Sequence, residues 1–359
     1  MTTFPMQMAS GSLVSIITAT YNHEEFISRC IESACEQKYG NWEQIVIDDG
    51  SMDSTAKVIS EFGDPRIRYV YQQNQGPFDL ARTYNRALGM AKGDLIAILE
   101  GDDFWPPDKL ATLVPAFQDA EVVLAYGNRA DVDAKGRMQR RKTDTARLRD
   151  RLPGSILFND PVGSTTRYMV LEEGRSLVHP CTVVIRRSAL DRIGGFQYVA
   201  GLPLTDYPTF LELSLAGRFF YAHQTMGYLR RHQRSVTVNH AWTIHEGVCN
   251  FTSKFLERHS DKIILSPAEH AMIESNWQKG EDRLHFSEGR MLLLQRNWSQ
   301  ARAEFRAATR SKSVKVHLAA CVGWLLSWVH LDIESLMRLG GRVDLRSDPV
   351  TECKQRPTS

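Results

Sequence analysis

The stretch Gly93-Asp94-Leu95-Ile96-Ala97-Ile98-Leu99-Glu100-Gly101-Asp102-Asp103-Phe104-Trp105 decides how this chain folds. A short apolar run bounded by Gly93 and Gly101 reads as a buried strand. It delivers Glu100, Asp102 and Asp103 to the strand's C-terminal end, where ligands sit in open α/β sheets. Crowded carboxylates repel one another unless a cation lies among them, and hard oxygen donors suit Mg²⁺ or Mn²⁺. The other reading is a solvated acidic turn capping a helix that starts near Pro106-Pro107-Asp108, since proline is favoured in a first helical turn. The stretch alone does not separate the two.

Working outward, Leu13-Val14-Ser15-Ile16-Ile17-Thr18-Ala19 predicts a buried first strand that runs into the polar turn Thr20-Tyr21-Asn22-His23. Apolar residues at Phe26, Ile27, Cys30, Ile31 and Ala34 give the following segment, 24–37, a helical stripe. Gln44 to Asp48 predicts a second strand ending in Asp48-Asp49-Gly50-Ser51, with Ser51 and Asp53 available to cap a helix over 54–62. A third strand over 66–71, a helix over 80–91 and the strand at Leu95 complete the first hundred residues. Strands alternating with helices at this spacing predict βαβ units and a mostly parallel sheet. Two strands then bring acids to one sheet edge. An Asp placed there can hydrogen-bond a ribose hydroxyl or a base N–H, or can simply shape its turn.

Composition narrows the function classes. The chain has 359 residues, 42% hydrophobic and 24% charged, in line with an ordinary globular protein. A net charge of +2 argues against a dedicated nucleic-acid partner. Six scattered cysteines form no CxxC or Cys/His cluster, which points away from structural zinc and towards a reducing compartment. Residues 1–12 lack the basic and apolar segments of a signal peptide, and no apolar run is long enough to span a bilayer. Neither GxGxxG nor GxxxxGK[ST] is present, so phosphates would have to be held mainly through a metal.

Over residues 12–235 the chain resembles glycosyltransferase family 2, inverting enzymes of the GT-A fold. The matching pieces are Val14 to Asn22, Ile45 to Thr55, Asn85 to Gly93, Glu100 to Trp105, Gly194-Gly195-Phe196, Thr205 to Leu213 and Tyr228-Leu229-Arg230-Arg231-His232. The resemblance implies a nucleotide diphosphate sugar as donor, a divalent metal (Mn²⁺ or Mg²⁺) and a saccharide or lipid-linked acceptor in bacterial surface-polysaccharide synthesis. Tyr21 and Asp49 would hold the base, helped by the Ala19-Thr20 backbone. Asp103 and Asp102 would form a DxD-type site, with Asp103 the foremost metal ligand, Asp102 also reaching the ribose, and His232 completing the set. Arg230 would face the phosphates or a neighbouring carboxylate. Arg82 would contact the nucleotide, since Tyr84 stands where many relatives place arginine. Asp206 would be the catalytic base, although Asp is also a favoured helix cap. Glu100 stands where the family usually has Asp, and its role stays open. A nucleotidyltransferase is the weaker enzyme alternative, because Thr18 to Asn22 lacks a glycine-rich basic phosphate loop. A non-catalytic sugar-nucleotide-binding or scaffold protein is the other.

This reading divides the chain into an α/β domain, 1–238, with a donor half at 12–105 and an acceptor half at 106–238. A helical region follows at 239–340 and a loose tail at 341–359. A strand over 122–127, irregular structure over 161–178, a strand over 179–187 and a late strand over 217–221 are expected in the acceptor half. The basic run 135–151 reads as a solvated surface or as a patch for anionic headgroups. In the helical region, 283–308 resembles one tetratricopeptide-like helix pair. The apolar segment 318–329 offers burial, a homo-oligomer contact or peripheral membrane attachment. The expected location is the cytoplasm, at or near the inner face of the membrane.

Overall fold

The central strands explain themselves by which face each residue buries. In β1 (Val14–Thr20), β2 (Trp42–Asp48) and β4 (Leu95–Ile98), alternate residues enter different cores. Ile17, Ile45, Ile47, Ile96 and Ile98 line one, while Val14, Ile16, Val46, Leu95 and Ala97 line the other. A strand with both faces covered reads as a near-continuous apolar run, and that is how these segments look in sequence. The structure, a computed structural model, describes residues 11–138, 151–172, 177–232 and 234–331.

Seven strands form one mixed sheet in the order β3-β2-β1-β4-β6-β5-β7. With β3 (Ile67–Tyr71), the first four are parallel. The short β6 (Val184–Arg186) runs antiparallel to both β4 and β5 (Val122–Val132), and β5 pairs in parallel with β7 (Arg218–Arg230). Helices α1 (Ile27–Cys35), α2 (Thr55–Ser60), α3 (Leu80–Met90) and α4 (Lys109–Leu113) supply the crossovers.

Residues 106–238, expected as the acceptor half, depart from expectation in three places. After α5 (Gly154–Phe158), the stretch 161–178 expected to be irregular holds a helix, α6 (Ser164–Leu171). Tertiary bonds add to the burial of Tyr168, Met169 and Val170 in the core: Asn159, at φ +51°, donates to the carbonyls of Ser214 and Gly217 at 2.7 Å each, and the hydroxyls of Thr166 and Ser214 lie 2.6 Å apart. The strand expected from His179 begins instead as a 3₁₀ turn, Pro180–Thr182. Pro180 has no N–H to give to a ladder, so β6 starts only at Val184. The late strand is 13 residues long, not a short terminal piece, because β7 follows the lengthened β5 through successive register shifts. Helices α7 (Arg187–Arg192) and α8 (Asp206–Ser214) complete this half. Of the basic run, Lys135 and Arg137 sit in a turn around Asp133, and Arg151 is exposed. Arg140, Arg141, Lys142, Arg147 and Arg149 lie outside the described residues, as does the tail 341–359.

The C-terminal helices begin with α9 (Val236–Asn239) and α10 (Ala241–Arg258). They continue with the 28-residue α11 (Pro267–Leu294), then α12 (Trp298–Ala308) and α13 (Val314–Trp328). A capping box between Ser266 and Glu269 starts α11. Phe251, Phe255, Ile263 and Ile273 enter the same core as the sheet, so the first of these helices are packed into the α/β body. Leu292, Leu293, Ala301, Phe305, Ala308 and Ala320 form a separate small core. There Phe305 lies against Gly289 and Gly323, where any side chain would collide with its ring. No described helix is long and apolar enough to cross a membrane.

Candidate active site

The ends of β1, β2 and β4 are sutured together by backbone bonds. The N–H of Asp49 donates to the Thr20 carbonyl at 2.9 Å, and that of Gly101 to the Ala19 carbonyl at 3.1 Å. Asn22, at φ +52°, takes a left-handed conformation that Asn tolerates. Its N–H donates to Ser51 Oγ and its Oδ1 accepts from the Met52 N–H, each at 2.9 Å. Ser51 is thus used across the turn, and of the two expected caps it is Asp53 that takes the Thr55 N–H at the start of α2. The turn after β1 and the Asp-Asp-Gly-Ser turn after β2 are therefore one structure, with Tyr21 exposed at its mouth.

Asp49 organises the loop after β3. Its carboxylate accepts from Gln72 Nε2 at 2.6 Å and from the backbone N–H groups of Gln75 at 2.9 Å and Gly76 at 3.0 Å. Gln72 and Gln75 also line an open hollow of about 480 Å³ with Tyr71, Thr83, Arg82 and Arg86. Arg82 is paired with Asp79 at 3.1 Å and lies over the Tyr198 ring at 4.7 Å. The structure thus groups Arg82 with Asp49 and Tyr71.

The acidic turn divides its carboxylates between two directions. Asp103 faces inward and is fully buried: Oδ1 accepts the Arg230 N–H at 2.9 Å, and Oδ2 has no hydrogen-bond partner. Burial, followed by the charges of Asp102 and Glu100, pushes its carboxyl well above the usual range. Asp102 faces outward, with Oδ2 2.9 Å from His232 Nε2. Burial works to raise it, but the His232 hydrogen bond and the imidazoles of His23 and His232 bring it below its ordinary value. Glu100 accepts from the Tyr84 hydroxyl at 3.2 Å and is pushed up to about 8, first by burial and then by Asp102 and Asp206. Of the three acids, Asp102 is the one brought below its ordinary range, while Asp103 and Glu100 are raised.

Asp102 and His232 are joined by His23. One ligand atom from each lies within 4.8 Å of the others. His23 follows the β1 turn, where Thr20 Oγ1 meets its Nδ1 at 3.2 Å, and burial lowers its pKa, which favours the neutral imidazole a metal needs. Asp103, expected as foremost ligand, is not in this group. Arg230 is the clamp behind it: Nε donates to the Asp102 carbonyl and Nη1 to the Ala134 carbonyl, each at 2.7 Å, while the guanidinium lies over the rings of Phe26 and Phe104. Phe104 and Tyr228 exchange backbone bonds and stack at 4.6 Å, fastening the end of β7 to the acidic turn.

Asp206 is the first helical residue of α8, with Thr205 at the cap position, so it is not the plain N-cap that sequence alone allowed. Oδ1 is buried with no partner. Burial raises its pKa, against the opposing hydrogen bond from the Tyr207 N–H. Its charge is felt by both Glu100 and Tyr84, which places it on the acidic site. Sequence reasoning missed His23 and Tyr84. The signal for His23 was its place in the turn after a strand, where titratable side chains meet ligands.

Gly101 leaves no room for a side chain beside the candidate ligands. A Cβ there would lie 2.6 Å from Thr20 Oγ1 and 2.8 Å from His23 Nδ1. Gly101→Ala is expected to cost about 1–3 kcal/mol of stability by overpacking and to weaken Mn²⁺ binding through displaced His23. Urea unfolding and Mn²⁺ titration check the two effects.

Comparison with known proteins accords with this geometry. Residues 15–194, half of the chain, match the model of glycosyl transferase family 2. An Escherichia coli relative, UDP-Glc:alpha-D-GlcNAc-diphosphoundecaprenol beta-1,3-glucosyltransferase WfgD, is 40% identical over 116 residues. That alignment covers 32% of this chain and 45% of the relative, so the chain spans less than half of that relative's length. Among solved structures, mannosyltransferase PcManGT of Pyrobaculum calidifontis, in complex with GDP-Man and Mn²⁺, aligns with a TM-score of 0.52 at 19% identity. It covers 90% of this chain and 84% of that one. Residues 1–349 of S. aureus TarS, in complex with UDP-GlcNAc, align with a TM-score of 0.51 at 17% identity, covering 91% and 92%. The sheet with its helical C-terminal region is thus of the GT-A type. The chain belongs to glycosyl transferase family 2.

Proposed function

We propose that the protein transfers a sugar from a nucleotide diphosphate sugar to a hydroxyl of a saccharide or lipid-linked acceptor, with inversion at the anomeric carbon, in surface-polysaccharide or glycolipid synthesis. The observation that carries this reading is Asp206: a buried carboxylate oxygen with no partner, on the same site as a metal-capable cluster, in a chain of this family. The acceptor O–H gives its proton to Asp206 while its oxygen bonds to the anomeric carbon and the bond to the diphosphate oxygen breaks. One displacement inverts the centre, so no enzymic nucleophile is required. The raised pKa of Asp206 makes it a stronger base than an exposed carboxylate.

The residues fit a metal. Two imidazoles and the Asp102 carboxylate converge, and the buried His232 Nδ1 has no other partner. Imidazole donors suit Mn²⁺ better than Mg²⁺, which prefers oxygen. A divalent ion held by Asp102, His232 and His23 would offset charge on the leaving diphosphate. The base of the donor would lie against Tyr21 and the loop held by Asp49, with Arg82 at the edge of the hollow and the Ala19-Thr20 backbone beneath.

A thermal-shift screen of UDP, GDP and dTDP sugars with and without Mn²⁺ tests the reading. A donor at a hundred times its Kd is expected to stabilise the fold by about 2.7 kcal/mol, in a metal-dependent way. Nucleoside diphosphate release that rises when acceptor is added completes the test. A metal-dependent donor shift without any transfer would favour a sugar-nucleotide-binding protein, and no shift with any donor would overturn the proposal.

A further inference from the structure

Helix α13 is built the wrong way round for a core element. The residues it buries are small, Ala320, Gly323 and Ser327, which let it close onto Phe305. The residues it exposes are large and apolar: Val314 is 71% exposed, Leu318 59%, Val322 51%, Leu325 59% and Trp328 57%. Val329, just past its end, is 61% exposed. At 100° per residue these six fall within a stripe about 120° wide, directly opposite the buried small residues. His317 flanks the stripe on one side and Lys315 on the other. Arg302 lies over the Trp328 ring at 4.4 Å.

Charge tells which occupant suits this face. From Asn297 to Leu331 the chain carries Arg302, Arg306, Arg310, Lys312 and Lys315 against the single acid Glu304, which is held by His285 at 2.6 Å. Pairing with a second copy would bring like charges together around the stripe. An acidic apolar peptide would meet the charge but needs a stripe complementary to this one, whereas a lipid surface supplies acyl chains and headgroups to any such face. Apolar residues ending in tryptophan, with lysine at the flank, have the composition of a helix lying in the headgroup region. We propose that α13 docks in the plane of an anionic lipid bilayer, its stripe from Val314 to Val329 entering the headgroup boundary and its basic neighbours meeting anionic headgroups. The proposal does not depend on the sugar-transfer reading.

The test uses the full chain and sedimentation with vesicles of phosphatidylcholine alone or mixed with phosphatidylglycerol. The parent protein is expected to sediment with the mixed vesicles and to be released by high salt. The double variant Leu318→Glu/Leu325→Glu is expected to lose at least tenfold in bound fraction, and Lys312→Glu/Lys315→Glu to lose binding to the anionic vesicles. Both change exposed positions far from the acidic site, so an unaltered melting temperature and an unaltered nucleotide-sugar shift verify that the fold and donor site survive. Equal binding to neutral vesicles, or full binding by either variant, overturns the proposal. So does absence of vesicle binding, whether light scattering then shows a dimer that Leu318→Glu/Leu325→Glu disrupts or a monomer whose stripe is covered by residues beyond 331.

Discussion

Replacing Asp206 by Asn is expected to lower turnover by about 10²–10⁴-fold while nucleotide-sugar affinity changes by less than about threefold. The amide has the shape of the carboxylate but cannot take a proton, so only the step that deprotonates the acceptor is lost. The start of α8 should tolerate the change. Thr205 holds the cap position, and the amide oxygen can keep the hydrogen bond from the Tyr207 N–H. The unpartnered Oδ1 is the atom whose function disappears. Nucleoside diphosphate release in the presence of acceptor measures turnover, and calorimetric titration with the donor measures binding. Unchanged turnover would move the base elsewhere on the site. Glu100, bonded to Tyr84 and pushed up to about 8, would then be the first residue to examine.

The second large effect separates two adjacent aspartates. Asp102→Asn is expected to weaken Mn²⁺ binding by at least about a hundredfold, since loss of even an outer-shell partner commonly costs 10–100-fold. Asp103→Asn should leave Mn²⁺ affinity nearly unchanged. Its side chain faces inward, and an amide oxygen can still accept the Arg230 N–H, which now holds Asp103 Oδ1 at 2.9 Å. The spectrum of bound Mn²⁺ in paramagnetic resonance adds a readout independent of turnover: His23→Ala and His232→Ala should each alter it, and Asp103→Asn should not. Equal loss in the two aspartate variants would mean that the acidic turn rearranges to bring Asp103 outward when the ion enters.

The parallel half of the sheet was legible in sequence because burial on both faces leaves a plain mark, a run such as Leu95 to Leu99 ending in glycine and acids. Its order and its ligand-bearing edge follow from the βαβ rule. Residues 106–238 were less legible. Helix α6 is held by Asn159 and Ser214, residues distant in sequence, and β7 carries His223, Gln224 and Thr225 in its middle, which mask it as a strand. In the site, residue types were readable and directions were not. Asp102 and Asp103 are neighbours, and only the turn geometry set by Arg230 decides which one meets His232. His23 was hidden for the same reason: its partner is 79 residues away, and only the suture of β1 to β4 brings the two together.

Helix α11 has a consequence of its own. Ile273 and Trp277, near its start, pack with the α/β core, while Leu292 and Leu293, near its end, belong to the small core that carries α13. Trp242 Nε1 reaches Glu288 Oε2 at 2.6 Å, bracing the far end against α10. One unbroken helix about 42 Å long, at 1.5 Å per residue, therefore joins the two cores without an intervening loop. Such a rod couples the two cores: with α13 seated on a bilayer, Asp206 and the acidic turn would keep one fixed pose towards the lipid instead of swinging on a linker.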